Sequence, residues 1–152
     1  MIENGVIHVG DNAFNFGKWL GGDFALAEIQ VADSVTSIGK FSFIGIPTVT
    51  LLTVPVNIDL LVDDNGNRDP AFKDTSNIQK IVFTKGGGSN PGEGYDYGNR
   101  GRMLSPQYLS REALTEVVFS EGITETGEDA IYGCYKVTSL TFPGTLNTVD
   151  SS

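Results

Sequence analysis

Few residues in this chain have the types and spacing that chemistry needs. The densest group is "DDNGNRD", residues 63–69, where Asp63, Asn65, Asn67 and Asp69 stand at alternate positions. Side-chain oxygens spaced this way suit Ca²⁺, a hard ion that takes six to eight oxygen ligands. A helix-loop calcium site also needs glycine at its sixth position for the sharp turn, and Arg68 stands there. The pair Asn65-Gly66 is, in contrast, the strongest short signal for a type I′ hairpin turn. The segment therefore reads as a turn first and a weak calcium candidate second, and no cofactor is expected.

Nucleophilic and metal chemistry find little else. His8 is the only histidine and Cys134 the only cysteine. No second histidine is available as a base for Cys134 or for a serine triad. Zinc would need three or four Cys, His or carboxylate ligands at workable spacing. Carboxylates such as Asp11, Asp23 and Glu28 have no feature that pairs them as a glycosidase requires. His8, between Val6 and Val9, is expected to face solvent on a terminal rung, and Cys134 to be a small core residue. The chain is read as a non-enzyme.

Residues suited to gripping a partner are easier to find. Trp19, the only tryptophan, lies with Phe16 and Phe24 in "NFGKWLGGDFA", residues 15–25. Tyr95, Tyr97, Arg100 and Arg102 crowd the end of "KGGGSNPGEGYDYGNRGR", residues 85–102. Tyr, Trp and Arg are the usual anchors of protein interfaces. The glycines there are not a phosphate loop, because no Gly-Lys-Ser/Thr ending follows and no helical pattern opens behind them. Trp19 is read as an end cover or interface residue, and Tyr95–Arg102 as a contact loop, with a flexible linker as the alternative.

The elements that hold these loops are β-like. Glycine is high at 19 of 152 residues, and few windows keep a helical period of apolar residues. The formal net charge is −9, from 10 Lys+Arg against 19 Asp+Glu, which argues against a nucleic-acid or anionic-membrane surface and otherwise reads as a solubility charge. No apolar run reaches the length of a membrane span. The opening "MIENGVIHVG" lacks the basic and apolar regions of a signal peptide. The expectation is either a protein without such a leader or a piece of a longer chain.

An internal repeat organises the rest. "LAEIQVADSVTSIGKFSFIGIPTVTLLTVP" from Leu26 and "LTEVVFSEGITETGEDAIYGCYKVTSLTFP" from Leu114 run in one register. Each contains phrases of the form apolar-x-x-apolar-x-apolar. Their last residues, Val31, Val54, Phe83, Phe119 and Phe142, are 23, 29, 36 and 23 positions apart. A second motif lies between phrases: Val6, Val9, Gly10, Ala13 and Phe14 match Val35, Ile38, Gly39, Ser42 and Phe43. The base period is 23, interrupted by the three loops described above.

These residues resemble a known family. "IGKFSF", "GDNAF" and "AIYGCYKVTSLTFP" are similar to the BspA-like leucine-rich repeats, over about residues 6–149. The fold expected is a β-rich repeat solenoid, a right-handed leucine-rich-repeat-like coil with about five parallel strands and three loop insertions. A unit this short cannot bury its own apolar side, so stacked units must share one core. The strand phrases are 26–31, 49–54, 78–83, 114–119 and 137–142, in a single domain. Phe14, Phe43, Phe72, Tyr108 and Ile131 are expected to form a ladder inside the coil.

The residues between phrase apolars should face outward as columns. Leu51, Val82 and Val118 would make a shallow apolar patch, and Lys80 and Glu116 would meet on neighbouring rungs, on a face that reads either as a solvated sheet surface or as a protein- or glycan-binding one. The chain opens without the strand that should precede Val6, stops after Leu146 and Val149, and shows no capping sequence. It is read as a fragment of a longer array or an array whose ends pack on partner chains. The resemblance implies a non-catalytic protein-binding or adhesion module, extracellular or on a cell surface, touching its partner through the sheet face and the loops of Trp19 and Tyr95–Arg102. The alternative is a structural subunit of a surface layer, fibre or phage particle, as a homo-oligomer or longer array. A carbohydrate module is disfavoured because the columns carry no aromatic ring.

Overall fold

The computed structural model describes residues 1–15, 25–61, 70–72, 75–87, 100–101, 112–126, 131 and 134–149. Nine short strands occur among them: β1 His8–Val9, β2 Glu28–Gln30, β3 Ser37–Ile38, β4 Leu51–Asn57, β5 Asp59–Leu61, β6 Lys80–Gly87, β7 Arg100–Gly101, β8 Glu116–Phe119 and β9 Ser139–Thr141. A 3-10 turn covers Pro70–Phe72.

The larger sheet is built from the repeated phrases. Its order is β2-β4-β6-β8-β9, every pair parallel. Ile29, Leu52, Ile81, Val117 and Leu140 stand in one register column. The period-2 alternation of a strand sends these residues to one face and their neighbours to the other. Ile29, Leu52, Ile81 and Val117 are accordingly buried, as are Val31, Val54, Phe83 and Phe119 at the last phrase position. A strand of three or four residues is not stable alone, so each rung depends on the next. One carbonyl per rung serves this coupling. Ala27 O accepts from the N–H groups of Thr50 and Leu51, Thr50 O from Gln79 and Lys80, Gln79 O from Thr115 and Glu116, and Thr115 O from Thr138 and Ser139.

A second sheet, which the repeat pattern had not announced, forms from the motif between phrases. β1, β3 and β5 pair in parallel, through Val9, Ile38 and Leu60, and β7 adds antiparallel to β5. Its strands are two or three residues long, too short for an alternation to declare itself in sequence. Val9 and Ile38 join the same buried cluster as the phrase residues.

Two aromatic ladders run through that cluster. Phe14, Phe43 and Phe72 stack with ring centroids 5.1 Å apart and interplanar angles of 12° and 10°. Phe83, Phe119 and Phe142, at the last phrase position, stack at 5.1 and 5.3 Å. Offset stacking of near-parallel rings at this separation is favourable beyond the area it buries. The first ladder was expected to continue through Tyr108 and Ile131. Tyr108 lies outside the described residues, and Ile131 is exposed.

The turns between rungs are equally repetitive. Asn12 and Phe41, 29 positions apart, both adopt the left-handed conformation, with φ of 56° and 57°. Gly39 sits against the previous turn, and a Cβ there would lie 2.5 Å from the Asp11 backbone nitrogen. Hydroxyls tie rung to rung: Ser34 Oγ accepts from Gly5 N and donates to Val6 O, and Thr145 Oγ1 accepts from Gly122 N and donates to Ile123 O.

The first copy is also more complete than the sequence suggested. Ile2 forms a parallel bridge with Val31 and donates its N–H to Gln30 O. It therefore occupies the last phrase position, 29 residues before Val31, where no strand residue was expected ahead of Val6. Cys134 is half-buried and packs against the core rather than inside it.

Candidate functional site

The outward columns of the larger sheet form a continuous face. Glu28, Leu51, Lys80, Glu116 and Ser139 are register partners in one column, and Gln30, Thr53, Val82, Val118 and Thr141 in another. Val82 and Val118 are direct neighbours, and Leu51 lies diagonal to Val82. All three are half-buried, flanked by Thr50, Thr53, Thr115 and Gln79. The patch is thus apolar at its centre and rich in hydroxyls and amides around it.

Lys80 Nζ donates to Glu116 Oε1 at 2.9 Å across two rungs. Both side chains keep more than a third of their surface in water, so the pair contributes only about 0–1 kcal/mol. Its effect on the face is larger than its effect on stability, because it neutralises the one lysine in these columns.

The other residues singled out by sequence fall elsewhere. Trp19, Tyr95, Tyr97 and Arg102 lie outside the described residues, as do Asp63, Asn65, Asn67 and Asp69. Arg100 is in β7, where its backbone pairs with Leu61. Part of the third insertion therefore joins the scaffold.

One arrangement escaped the sequence reading. His8 Nδ1 lies 2.8 Å from Ser37 Oγ and 3.4 Å from Thr36 Oγ1, all on exposed surface. The register places His8, Ser37 and Asp59 on successive rungs. Only alignment of the motif between phrases could have found the pair. Among the described residues no group of three or more His, Cys, Asp or Glu is placed to hold a metal ion, and no helix is long and apolar enough to cross a membrane.

Comparison with known proteins agrees with this geometry. A family model described as BspA type leucine rich repeat region matches residues 1–88 and 104–152, in 6 copies. That is one more than the strand phrases suggested, and the copy begun by Ile2 and Val6 accounts for a unit before Leu26. Neither curated proteins nor solved structures returned a match. Repeats of this kind are generally non-enzymatic scaffolds that bind proteins. With most of its length matched and its strands stacked in the register of the repeat, the chain belongs to the BspA-type leucine-rich repeat family.

Proposed function

We propose that the chain is one right-handed solenoid domain that binds a protein partner, as an adhesion module of a surface protein, through the outward face of its larger sheet. The observation that carries this reading is the Leu51–Val82–Val118 patch. It sits over the most deeply buried rungs, so its shape is preorganised, and a polar rim surrounds it. An interface core with these features is where binding energy concentrates. The loops bearing Trp19 and Tyr95–Arg102 supply anchor-type residues for the same partner.

The test is saturable binding of the purified chain to a panel of secreted and cell-surface proteins, compared with a Val82→Glu/Val118→Glu variant. Binding lost in that variant and retained in Lys136→Glu, an exposed change off the face, supports the reading. Binding untouched by the double substitution removes the sheet face from the mechanism.

A second reading has an observation of its own. The outermost rungs of the described structure expose Leu140, Phe142 and Val149 at one end and Val6, Phe14 and Leu26 at the other. Exposed apolar surface beside unpaired strand edges favours contact with neighbouring chains, as in a structural assembly. Mass in solution decides: a monodisperse monomer at micromolar concentration counts against assembly, and concentration-dependent growth supports it.

A further inference from the structure

We infer that the outward face of the larger sheet receives a second copy of this chain, sheet against sheet, about a two-fold axis running along the strands between β6 and β8. The inference rests on the adhesion reading and names its partner as another copy of the same module.

The pattern of the face is its own complement. Lys80 and Glu116 are register partners on adjacent strands, and two residues along the same strands stand Val82 and Val118. The period-2 alternation turns all four outward. A two-fold axis along the strands exchanges the two rungs. It sets Lys80 over the second copy's Glu116, Glu116 over its Lys80, and each valine over the other. One rung farther out, Leu51 and Thr53 of β4 fall opposite Ser139 and Thr141 of β9. Glu28, the remaining charge of these columns, lies on β2 and meets no charged member of them. A two-fold interface needs this property, because one patch must be complementary to itself. Any other partner would have to supply the reversed charges at the same spacing of about 4.8 Å; a second copy supplies them by symmetry.

The pairing also suits the charges. Lys80 Nζ and Glu116 Oε1 are 2.9 Å apart, with 39% and 36% of their side chains still in water. Aligned sheets pack about 10 Å apart, with strands within about 30° of parallel. At that distance each charge gains a second opposite neighbour, and the four close a ring of alternating sign. Desolvation offsets most of the Coulombic gain, so the ring fixes register while the valines exclude water and supply affinity. The chain as a whole carries −9 and repels its copy, but Lys80 and Glu116 sum to zero beside the axis.

The contact is small. Five strands about 4.8 Å apart, each crossing about four residues at about 3.3 Å, give on the order of 300 Å² per copy, against about 800 Å² in a standard stable interface. The dimer is therefore weak and reversible. Modules displayed in many copies gain adhesion from such contacts through avidity.

The test is sedimentation of the purified chain from micromolar to about millimolar concentration at physiological salt. A reversible dimer that grows no further is expected. Lys80→Glu and Glu116→Lys, each placing like charges across the axis, should weaken it about tenfold or more. An equimolar mixture of these two variants, whose faces are again complementary, should recover the parent's dimer, as should the double exchange in one chain. Recovery in the mixture also shows that both variants are folded. Lys136→Glu, off the face, should dimerise like the parent. A parent that stays monomeric, a dimer or larger species indifferent to both single variants, or a mixture no better than its components overturns the inference. A monomeric parent that still binds another protein, and loses it in Val82→Glu, overturns the second copy while leaving the sheet-face function standing.

Discussion

The stacked rings at the last phrase position make a quantitative prediction. Phe119 lies between Phe83 and Phe142, at 5.1 and 5.3 Å. Among the described residues Phe83 and Phe142 each have one ring neighbour; Phe83 has no exposed surface and Phe142 is 40% exposed. Replacing Phe by Leu keeps most of the apolar volume, a change that costs under about 1.5 kcal/mol when packing adapts. To this is added about 0.5–1.5 kcal/mol for each stacked pair lost. Phe119→Leu should therefore cost about 2–3 kcal/mol and Phe83→Leu about 1–2 kcal/mol. Phe142→Leu should cost about 0.5–1 kcal/mol, since it leaves little cavity behind. Urea unfolding followed by far-UV circular dichroism measures each, with the slope checked for constancy so that midpoint shifts report stability. Double-mutant cycles sharpen the point. Phe83 and Phe119 should couple by about 0.5–1.5 kcal/mol, whereas Phe83 and Phe142, which do not touch, should be additive within about 0.5 kcal/mol. Equal costs at Phe119 and Phe142, or equal coupling in the two pairs, would refute nearest-neighbour stacking as the source of rung cohesion.

Three further predictions concern the turns and the face. Gly39→Ala should cost about 1–3 kcal/mol, because its Cβ meets backbone at 2.5 Å, while Gly10→Ala at the matching position, with nothing within 4 Å, should stay within about 1 kcal/mol of the parent; thermal midpoints of the pair test this. Phe41→Asn should be close to neutral, because relief of the left-handed strain, about 1–3 kcal/mol, offsets the lost apolar contact at this half-buried site; a loss beyond about 2 kcal/mol in urea would show the turn is not strained. Lys80→Met should change stability by at most about 1 kcal/mol, and the difference from the parent should shrink in 1 M salt if it comes from the Glu116 pair.

How legible this architecture was depended on how many residues each element offers. The phrases at 26–31, 49–54, 78–83, 114–119 and 137–142 carry three apolar positions each, enough to fix the register. The columns that meet in space, including Lys80 with Glu116 and Val82 with Val118, could be read directly from the alignment of phrases. The Phe14–Phe43–Phe72 ladder was legible for the same reason. The second sheet was not. Its strands are two or three residues long, and Ser37 and Ile38 look like part of a turn until their neighbours His8–Val9 and Asp59–Leu60 are set beside them. Ile2 was missed because a single apolar residue does not make a phrase.

The division between repeated and varied positions is itself an argument about function. In a stack where each rung contacts only its neighbours, inward residues are constrained on both sides, above and below. Ile29, Leu52, Ile81, Val117 and Leu140 vary only among aliphatics, and the last phrase position only between Val (Val31, Val54) and Phe (Phe83, Phe119, Phe142). Outward residues meet no such demand, so their identities can follow what they touch. The column Gln30–Thr53–Val82–Val118–Thr141 runs polar, polar, apolar, apolar, polar. Its apolar members fall on rungs whose inward residues Ile81, Phe83, Val117 and Phe119 are buried, where side chains are held most firmly. Repetition alone would have carried threonine through the column. Two valines at its centre expose apolar surface that folding does not require, and this is the ground on which the proposed function places the partner there.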